Sequence, residues 1–238
     1  MILLLAAALA TAPPSTAGIA TDVECRSRAE AEASICLATY YAGADRHADA
    51  AAEFEKAAVQ LAAGGQLDPR ADRALAAAGN MWIAAGQPGK AALALDKALT
   101  GTGLRAEQRG EAMLDRARAA EALNDLKTAR SKVTEATQSI GDDPFLWYFS
   151  AALAVRENDA PLAKSAINRA LSLAPGDPTI LFEAGHVSHF AGDEPGARDY
   201  WTRAIAADPN GPSGKAARQA LSMLTVPLTV QSAAGTTK

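Results

Sequence analysis

The most constraining feature of this 238-residue chain is an internal repeat with a period of 34 residues. When the sequence is shifted by that interval, small residues and bulky residues fall into separate columns. The small column holds Ala117, Ala151 and Gly185, and the bulky column holds Val133, Ile167 and Trp201. A fixed period of this length predicts a supersecondary unit that buries its apolar face by stacking on its neighbours.

Each unit has the pattern of a helical hairpin. A first helix of about fourteen residues is followed by a turn and then by a second amphipathic helix. The turns lie at Asn124-Asp125, Asn158-Asp159 and Gly192-Asp193, and the units close at Gly141, Pro175 and Pro209. With short insertions the pattern extends upstream. It predicts a helical repeat domain over 31–225, with units at 31–64, 72–105, 110–143, 144–177 and 178–211.

The composition agrees with closely packed helices. The chain contains 59 alanines, about a quarter of its residues, whereas aromatic residues make up 5%. Alanine is the best helix former and lets helix axes approach closely. The net charge of −4 leaves no basic surface typical of proteins that bind nucleic acid or an anionic membrane.

The two ends of the chain differ from the repeats. Met1 to Ala10 is an apolar run too short to span a membrane, which takes roughly 20 residues. Small residues before position 21 predict a signal peptide over 1–20, cleaved after Ala20 or, as a second choice, after Ala17. Because no Lys or Arg precedes the run, a short membrane anchor or a frayed start is the alternative. We expect a lead-in at 21–30, a capping helix at 213–224 and a disordered tail at 226–238.

The two cysteines, Cys25 and Cys36, would meet an oxidising environment if the chain is exported. On one continuous helix they would lie about 16 Å apart, whereas the Cα atoms of a disulfide lie roughly 4.4–6.8 Å apart. A bond therefore requires a turn between them, for example within 26–28. The sequence leaves both the bonded and the free state open.

These units resemble tetratricopeptide repeats. The unit 178–211 carries that family's small, aromatic and proline positions at Gly185, Ala197, Trp201, Ala204 and Pro209, after the bulky Leu181. The unit 144–177 carries Trp147, Ala151, Ala163, Ala170 and Pro175. The unit 110–143 departs from the pattern with Arg116 and Gly141. The resemblance implies an all-α, right-handed superhelical solenoid of about five antiparallel helix hairpins with a C-terminal capping helix.

The resemblance also implies that the first helices line a concave groove that holds a protein or peptide segment. The positions carried over to that groove are Asn80, Ile83, Arg118, Phe145, Tyr148, Arg156, Phe182, His186 and His189. Eight of the twelve aromatic residues lie between Phe145 and Trp201, which directs attention to that part of the chain. The alternative is that these aromatic side chains pack the last hairpins against the capping helix.

Motifs typical of enzymes were not found in the sequence. Gly214-Lys215 lacks the flanking residues of a phosphate-binding loop, and no Gly-x-Ser-x-Gly sequence occurs. His186 and His189 are three residues apart on a predicted helix, without an evident third metal ligand. We therefore expect no catalysis, no cofactor and no bound metal.

Together these features predict a non-catalytic scaffold or adaptor of the bacterial cell envelope, periplasmic or secreted, that binds a protein or peptide. We expect no nucleic-acid partner and no membrane span after signal cleavage. One alternative is a structural protein that self-assembles as a homo-oligomer. The other is a metal- or ligand-binding protein that uses His186 and His189.

Overall fold

The computed structural model describes residues 22–63 and 68–224. Within these residues the chain forms twelve α-helices and no strand, and consecutive helices pack in pairs. The predicted all-α array of helix hairpins is confirmed. The helices are α1 Asp22–Arg26, α2 Glu30–Gly43, α3 His47–Ala62, α4 Pro69–Ala84, α5 Pro88–Thr100, α6 Ala106–Ala122, α7 Leu126–Ile140, α8 Pro144–Arg156, α9 Ala160–Leu173, α10 Pro178–Phe190, α11 Glu194–Ala207 and α12 Pro212–Leu224.

The predicted signal peptide over 1–20 and the predicted tail over 226–238 lie outside the described residues. In the part that is described, no helix is both long enough and apolar enough to cross a membrane. The C-terminal helix α12 packs against α10 and α11, where it buries Ala217.

Each hairpin turns at a residue with a left-handed backbone. These residues are Asp45, Gly86, Asn124, Asn158 and Gly192, with φ angles of 55°, 67°, 62°, 60° and 79°. Glycine adopts this region without steric cost, and Asn and Asp tolerate it better than other residues. The turn residue therefore reverses the chain tightly enough for the two helices of a hairpin to pack together.

Aspartate residues start most of the helices that follow these turns and the unit junctions. Asp143, which precedes α8, accepts a hydrogen bond from the Phe145 amide at 2.8 Å, and Asp177 caps α10 in the same way. These carboxylates satisfy amide groups that have no partner within the helix. The helices capped by an aspartate side chain are α4, α7, α8, α9, α10 and α11.

Two first helices begin earlier than the repeat register predicts. Helix α4 begins at Pro69 and α6 at Ala106, ahead of the predicted unit starts at 72 and 110. Local capping explains the extra turns. Asp68 and Pro69 form a typical helix start, and before α6 the Gln108 side chain accepts a hydrogen bond from the Arg105 amide at 3.1 Å.

Size-matched side chains hold the two helices of each hairpin together. A Cβ atom at Gly185 would overlap the Trp201 indole, and one at Gly79 would overlap the Leu95 side chain. Leu95 and Trp201 are both buried, so these glycines make room for large core residues. The two hairpins between them carry alanine beside a β-branched partner, in the pairs Ala117 with Val133 and Ala151 with Ile167.

A disulfide between Cys25 and Cys36 ties α1 to α2, with a Cα separation of 5.3 Å. The chain meets the geometric requirement by breaking the helix between them, since α1 ends at Arg26 and α2 starts at Glu30. Cys25 is fully buried under the first hairpin. The described residues contain no free cysteine.

Candidate functional site

The first helices of four consecutive hairpins line a cavity of about 580 Å³. It lies between α2, α4, α6 and α8, and Leu104 and Asp143 from the connecting segments also line it. The lining residues are Thr39, Ala42, Phe54, Arg73, Ala76, Ala77, Asn80, Met81, Leu104, Gln108, Glu111, Ala112, Leu114, Asp115, Arg118, Asp143 and Phe145. We call this space the concave cavity.

Apolar side chains form much of the wall of the concave cavity. Phe54, Met81 and Leu104 pack against the core of the second hairpin, and Leu114 packs against the core of the third. The small side chains on α4 and α6 leave the space that these larger residues surround. A concave, mainly apolar surface with a few polar groups is the usual form of a binding site.

The polar part of the wall centres on Asp115 of α6. The Asn80 side-chain amide donates a hydrogen bond to Asp115 at 2.8 Å, and Arg118 forms an ion pair with it at 2.8 Å. These contacts join α4 to α6 and fix the Asp115 carboxylate. The Arg118 charge is therefore offset within the wall.

Two further carboxylates leave the α6 and α8 side of the cavity acidic. Burial raises the pKa of Glu111, and the charges of Glu107, Asp115 and Asp143 raise it further. A carboxyl responds in this way when the surrounding potential is negative. Arg73 is exposed on the neighbouring helix α4. The lining thus holds three carboxylates and two guanidinium groups, and one of the guanidinium groups, Arg118, is paired with Asp115.

The nine residues predicted for the groove do not all lie in this cavity. Asn80, Arg118 and Phe145 line it, each from a different first helix. The other six predicted residues lie along the first helices but outside its wall, and they are Ile83, Tyr148, Arg156, Phe182, His186 and His189. The cavity therefore extends towards the first hairpin, whereas the sequence directed attention to residues 145–201.

Several of these six residues are held by packing or ion pairs. Ile83 packs against the core of the second hairpin, and Phe182 packs against a cluster shared with α12. The packing of Phe182 corresponds to the alternative expected from the sequence, in which aromatic residues seat the capping helix. Arg156 pairs with Glu121 and donates a hydrogen bond to Asn124 at 3.0 Å.

Tyr148 connects the concave cavity to the C-terminal hairpins. Its ring contacts Phe145 edge-on, with centroids 6.4 Å apart, and it packs against the core of the fourth hairpin. Burial, followed by the nearby Glu183 carboxylate, raises the pKa of the Tyr148 phenol, whereas Arg118 lowers it. Tyr148 therefore lies within electrostatic range of both Arg118 on α6 and Glu183 on α10.

The two histidines of α10 both lie near Trp201 but have different further partners. The His186 ring packs edge-on against Phe182 at 4.5 Å and against Trp201 at 5.5 Å, and burial lowers its pKa. His189 Nδ1 lies 2.6 Å from Glu194 Oε1 at the exposed start of α11. Among the described residues no group of three or more His, Cys, Asp or Glu side chains could hold a metal ion.

Comparison with known proteins identifies the architecture. No family model matches the sequence, and no curated protein matches it. A tetratricopeptide repeat protein from Parabacteroides merdae superposes with a TM-score of 0.64 at 13% identity, covering 82% of this chain and 73% of that chain. YrrB, described as a TPR protein with an unusual peptide-binding site, superposes with a TM-score of 0.57 at 16% identity, covering 85% and 100%.

The chain has the tetratricopeptide-repeat fold. PilF of Pseudomonas aeruginosa also superposes, with a TM-score of 0.62 at 16% identity over 80% of this chain and 82% of that chain. The tetratricopeptide-repeat resemblance predicted from the sequence is confirmed as a fold. At these identities the likeness concerns the fold alone.

The groove positions predicted from the sequence do not include the acidic residues Asp115 and Glu183 of this tetratricopeptide-repeat surface. Asp115 and Glu183 stand in the same column of the 34-residue repeat, two units apart. Each lies two residues before the column of small residues that marks the close approach of the paired helices. This shared position in the repeat is the sequence feature that could have identified the two carboxylates, because it lies on the first helix of each unit.

Proposed function

We propose that this protein is a scaffold that binds a segment of another protein in its concave cavity. The observation that carries the proposal is the concave cavity of about 580 Å³, which is lined by the first helices of four hairpins. Its wall is largely apolar and contains fixed polar groups. An apolar wall supplies affinity through burial, and fixed polar groups orient the bound segment. The tetratricopeptide-repeat fold of the structural neighbours supports an interaction role.

The experiment selects peptides from a random dodecapeptide library displayed on phage, with the purified full-length protein as bait. The dissociation constant of an enriched peptide is then measured by fluorescence anisotropy for the wild type and two variants. Phe145→Ala removes part of the cavity wall. Leu93→Ala, the control, truncates an exposed side chain of the outer helix α5.

We expect Phe145→Ala to weaken binding roughly 10-fold or more, because burial of a Phe side chain contributes about 1.5–3 kcal/mol. Leu93→Ala should change the dissociation constant less than twofold. The proposal is contradicted if no peptide is enriched, or if Phe145→Ala binds the enriched peptide as tightly as the wild type.

We also propose that the scaffold acts in the bacterial cell envelope, as a periplasmic or secreted adaptor. The Cys25–Cys36 disulfide supports this location, because such bonds persist in oxidising compartments. The signal peptide predicted over 1–20 points the same way. Mass spectrometry of the protein recovered from a periplasmic fraction should show a chain that begins at Thr21, and recovery of the intact chain from the cytoplasm would contradict the proposal.

A further inference from the structure

Glu183 on α10 occupies the same place in its repeat as Asp115 on α6. Asp115 has two partners, Asn80 on the preceding first helix and Arg118 one turn further along its own helix. The repeat register therefore offers an internal comparison, since the same backbone position in two hairpins carries a carboxylate. What differs is the set of side chains around it.

Both partners are missing at Glu183. In the repeat alignment, the position equivalent to Asn80 in the hairpin before Glu183 is Ala152. The position equivalent to Arg118 is His186. The alanine side chain has no hydrogen-bond donor, and the His186 ring packs against the rings of Phe182 and Trp201. Among the described residues Glu183 forms no hydrogen bond or ion pair, although its side chain is half-buried.

Burial alone raises the pKa of Glu183 to about 7. A cation close to a buried carboxylate would oppose this rise, and none does so here. The carboxylate is thus partly desolvated without compensation, which is costly for a group whose only role is structural. A cation from outside the chain would remove that cost.

Glu183 continues the binding surface beyond the concave cavity. It acts on the Tyr148 phenol, whose ring contacts Phe145 of the cavity wall. Helices α8 and α10 are in direct contact, so Phe145, Tyr148 and Glu183 form a continuous path along the first helices. A segment lying in the cavity reaches Glu183 by extending over Tyr148.

Carboxylates outnumber cationic side chains along this path. Asp143 and Glu111 lie at the cavity wall next to α8, while Arg118 is offset by Asp115. The exposed side chain of Arg73 lies on α4, before this path begins along the chain. From α6 to α10 the surface therefore complements a positively charged ligand.

We propose that the segment bound by this protein is basic, and that one of its Lys or Arg side chains pairs with Glu183. The apolar stem of that side chain would lie over Tyr148, and its charged end would meet the carboxylate. The inference rests on the proposed binding of a protein segment in the concave cavity and specifies the chemistry of that segment.

The test uses the same phage-displayed library, selected in parallel on the wild type and on Glu183→Gln. A peptide enriched on the wild type is then synthesised together with an analogue in which its Lys or Arg is replaced by norleucine. Dissociation constants are measured for both peptides against the wild type, Glu183→Gln and Glu30→Gln. Glu30 is an exposed carboxylate at the start of α2, outside the cavity wall, and provides the matched control.

We expect Lys or Arg to be enriched at one peptide position on the wild type and not on Glu183→Gln. The Glu183→Gln variant and the norleucine analogue should each weaken binding about 10-fold or more, and the two changes together should cost little more than either alone. Glu30→Gln should bind both peptides as the wild type does.

The outcomes separate this inference from the proposed function. If binding depends on Phe145 but changes less than twofold in Glu183→Gln, the cavity binds a segment and the inference is wrong. Enrichment of acidic or uncharged peptides also overturns it. If binding does not depend on Phe145, or if no peptide is enriched, the proposed function fails and the inference fails with it.

Discussion

Replacing Glu183 by Gln should stabilise the free protein at neutral and alkaline pH. The substitution keeps the shape of the side chain and removes a charge that is half-buried without a partner. Burial raises the pKa of Glu183 from its usual 4.5 to about 7. At about 1.4 kcal/mol per pKa unit, ionised Glu183 lowers the free energy of unfolding by about 3 kcal/mol. Because Gln is also polar, we expect a gain of about 1–3 kcal/mol.

The pH dependence distinguishes this cause from better packing. The folded protein holds the Glu183 proton more tightly than the unfolded chain, so the wild type loses stability as the pH rises from about 4.5 to about 7. The difference between the variant and the wild type should therefore be near zero at pH 4.5 and level off above pH 7. His186 on the same helix, Tyr148 on α8 and Arg118 on α6 surround this region and are present in both proteins.

The assay is urea unfolding followed by far-UV circular dichroism at pH 4.5, 5.5, 6.5, 7.5 and 8.5, chosen to bracket the pKa of about 7. Glu30→Gln is the control, and its stability should follow the wild type at every pH. A pH-independent difference between Glu183→Gln and the wild type would refute the reasoning, as would a variant that is less stable at pH 8.5.

Two further predictions concern the fold. Gly185→Ala should destabilise the protein by about 1–3 kcal/mol in the same urea assay, because the new methyl group displaces the Trp201 indole. Gly89→Ala, where a Cβ meets no neighbour, should be neutral or slightly stabilising, and equal effects at both glycines would contradict this packing. Reduction of the Cys25–Cys36 disulfide should lower the free energy of unfolding by about 2–3 kcal/mol, and an unchanged value would show that the bond does not support the fold.

The hairpin architecture could be predicted from the sequence because each hairpin repeats a few local rules. One alignment of the chain with itself shows the turn residues Asn124 and Asn158, which adopt the left-handed conformation. The same alignment shows the positions of Gly185 and Trp201, which pack together. Such features depend on short-range geometry, so they recur at the same position in each unit and can be recognised from the period of the sequence.

The position of the cavity could not be predicted in the same way. Its location depends on how far neighbouring hairpins separate, and that distance is set by side chains packed between units. Tyr148 and Phe182 illustrate this. The repeat pattern assigns both to groove positions, but both side chains pack against core clusters. The repeat pattern also does not show which charged residues have a partner. Asp115 and Glu183 stand in the same column of the repeat, but only Asp115 is paired.

The most direct test of the account is to map where a selected peptide binds. The ¹⁵N-labelled protein is titrated with the enriched peptide, and amide chemical-shift changes are followed by NMR. We predict that the changes concentrate on α2, α4, α6, α8 and α10, and that they include the Phe145, Tyr148 and Glu183 amides. Changes concentrated on the outer helices α5, α7 and α9 would contradict binding in the concave cavity.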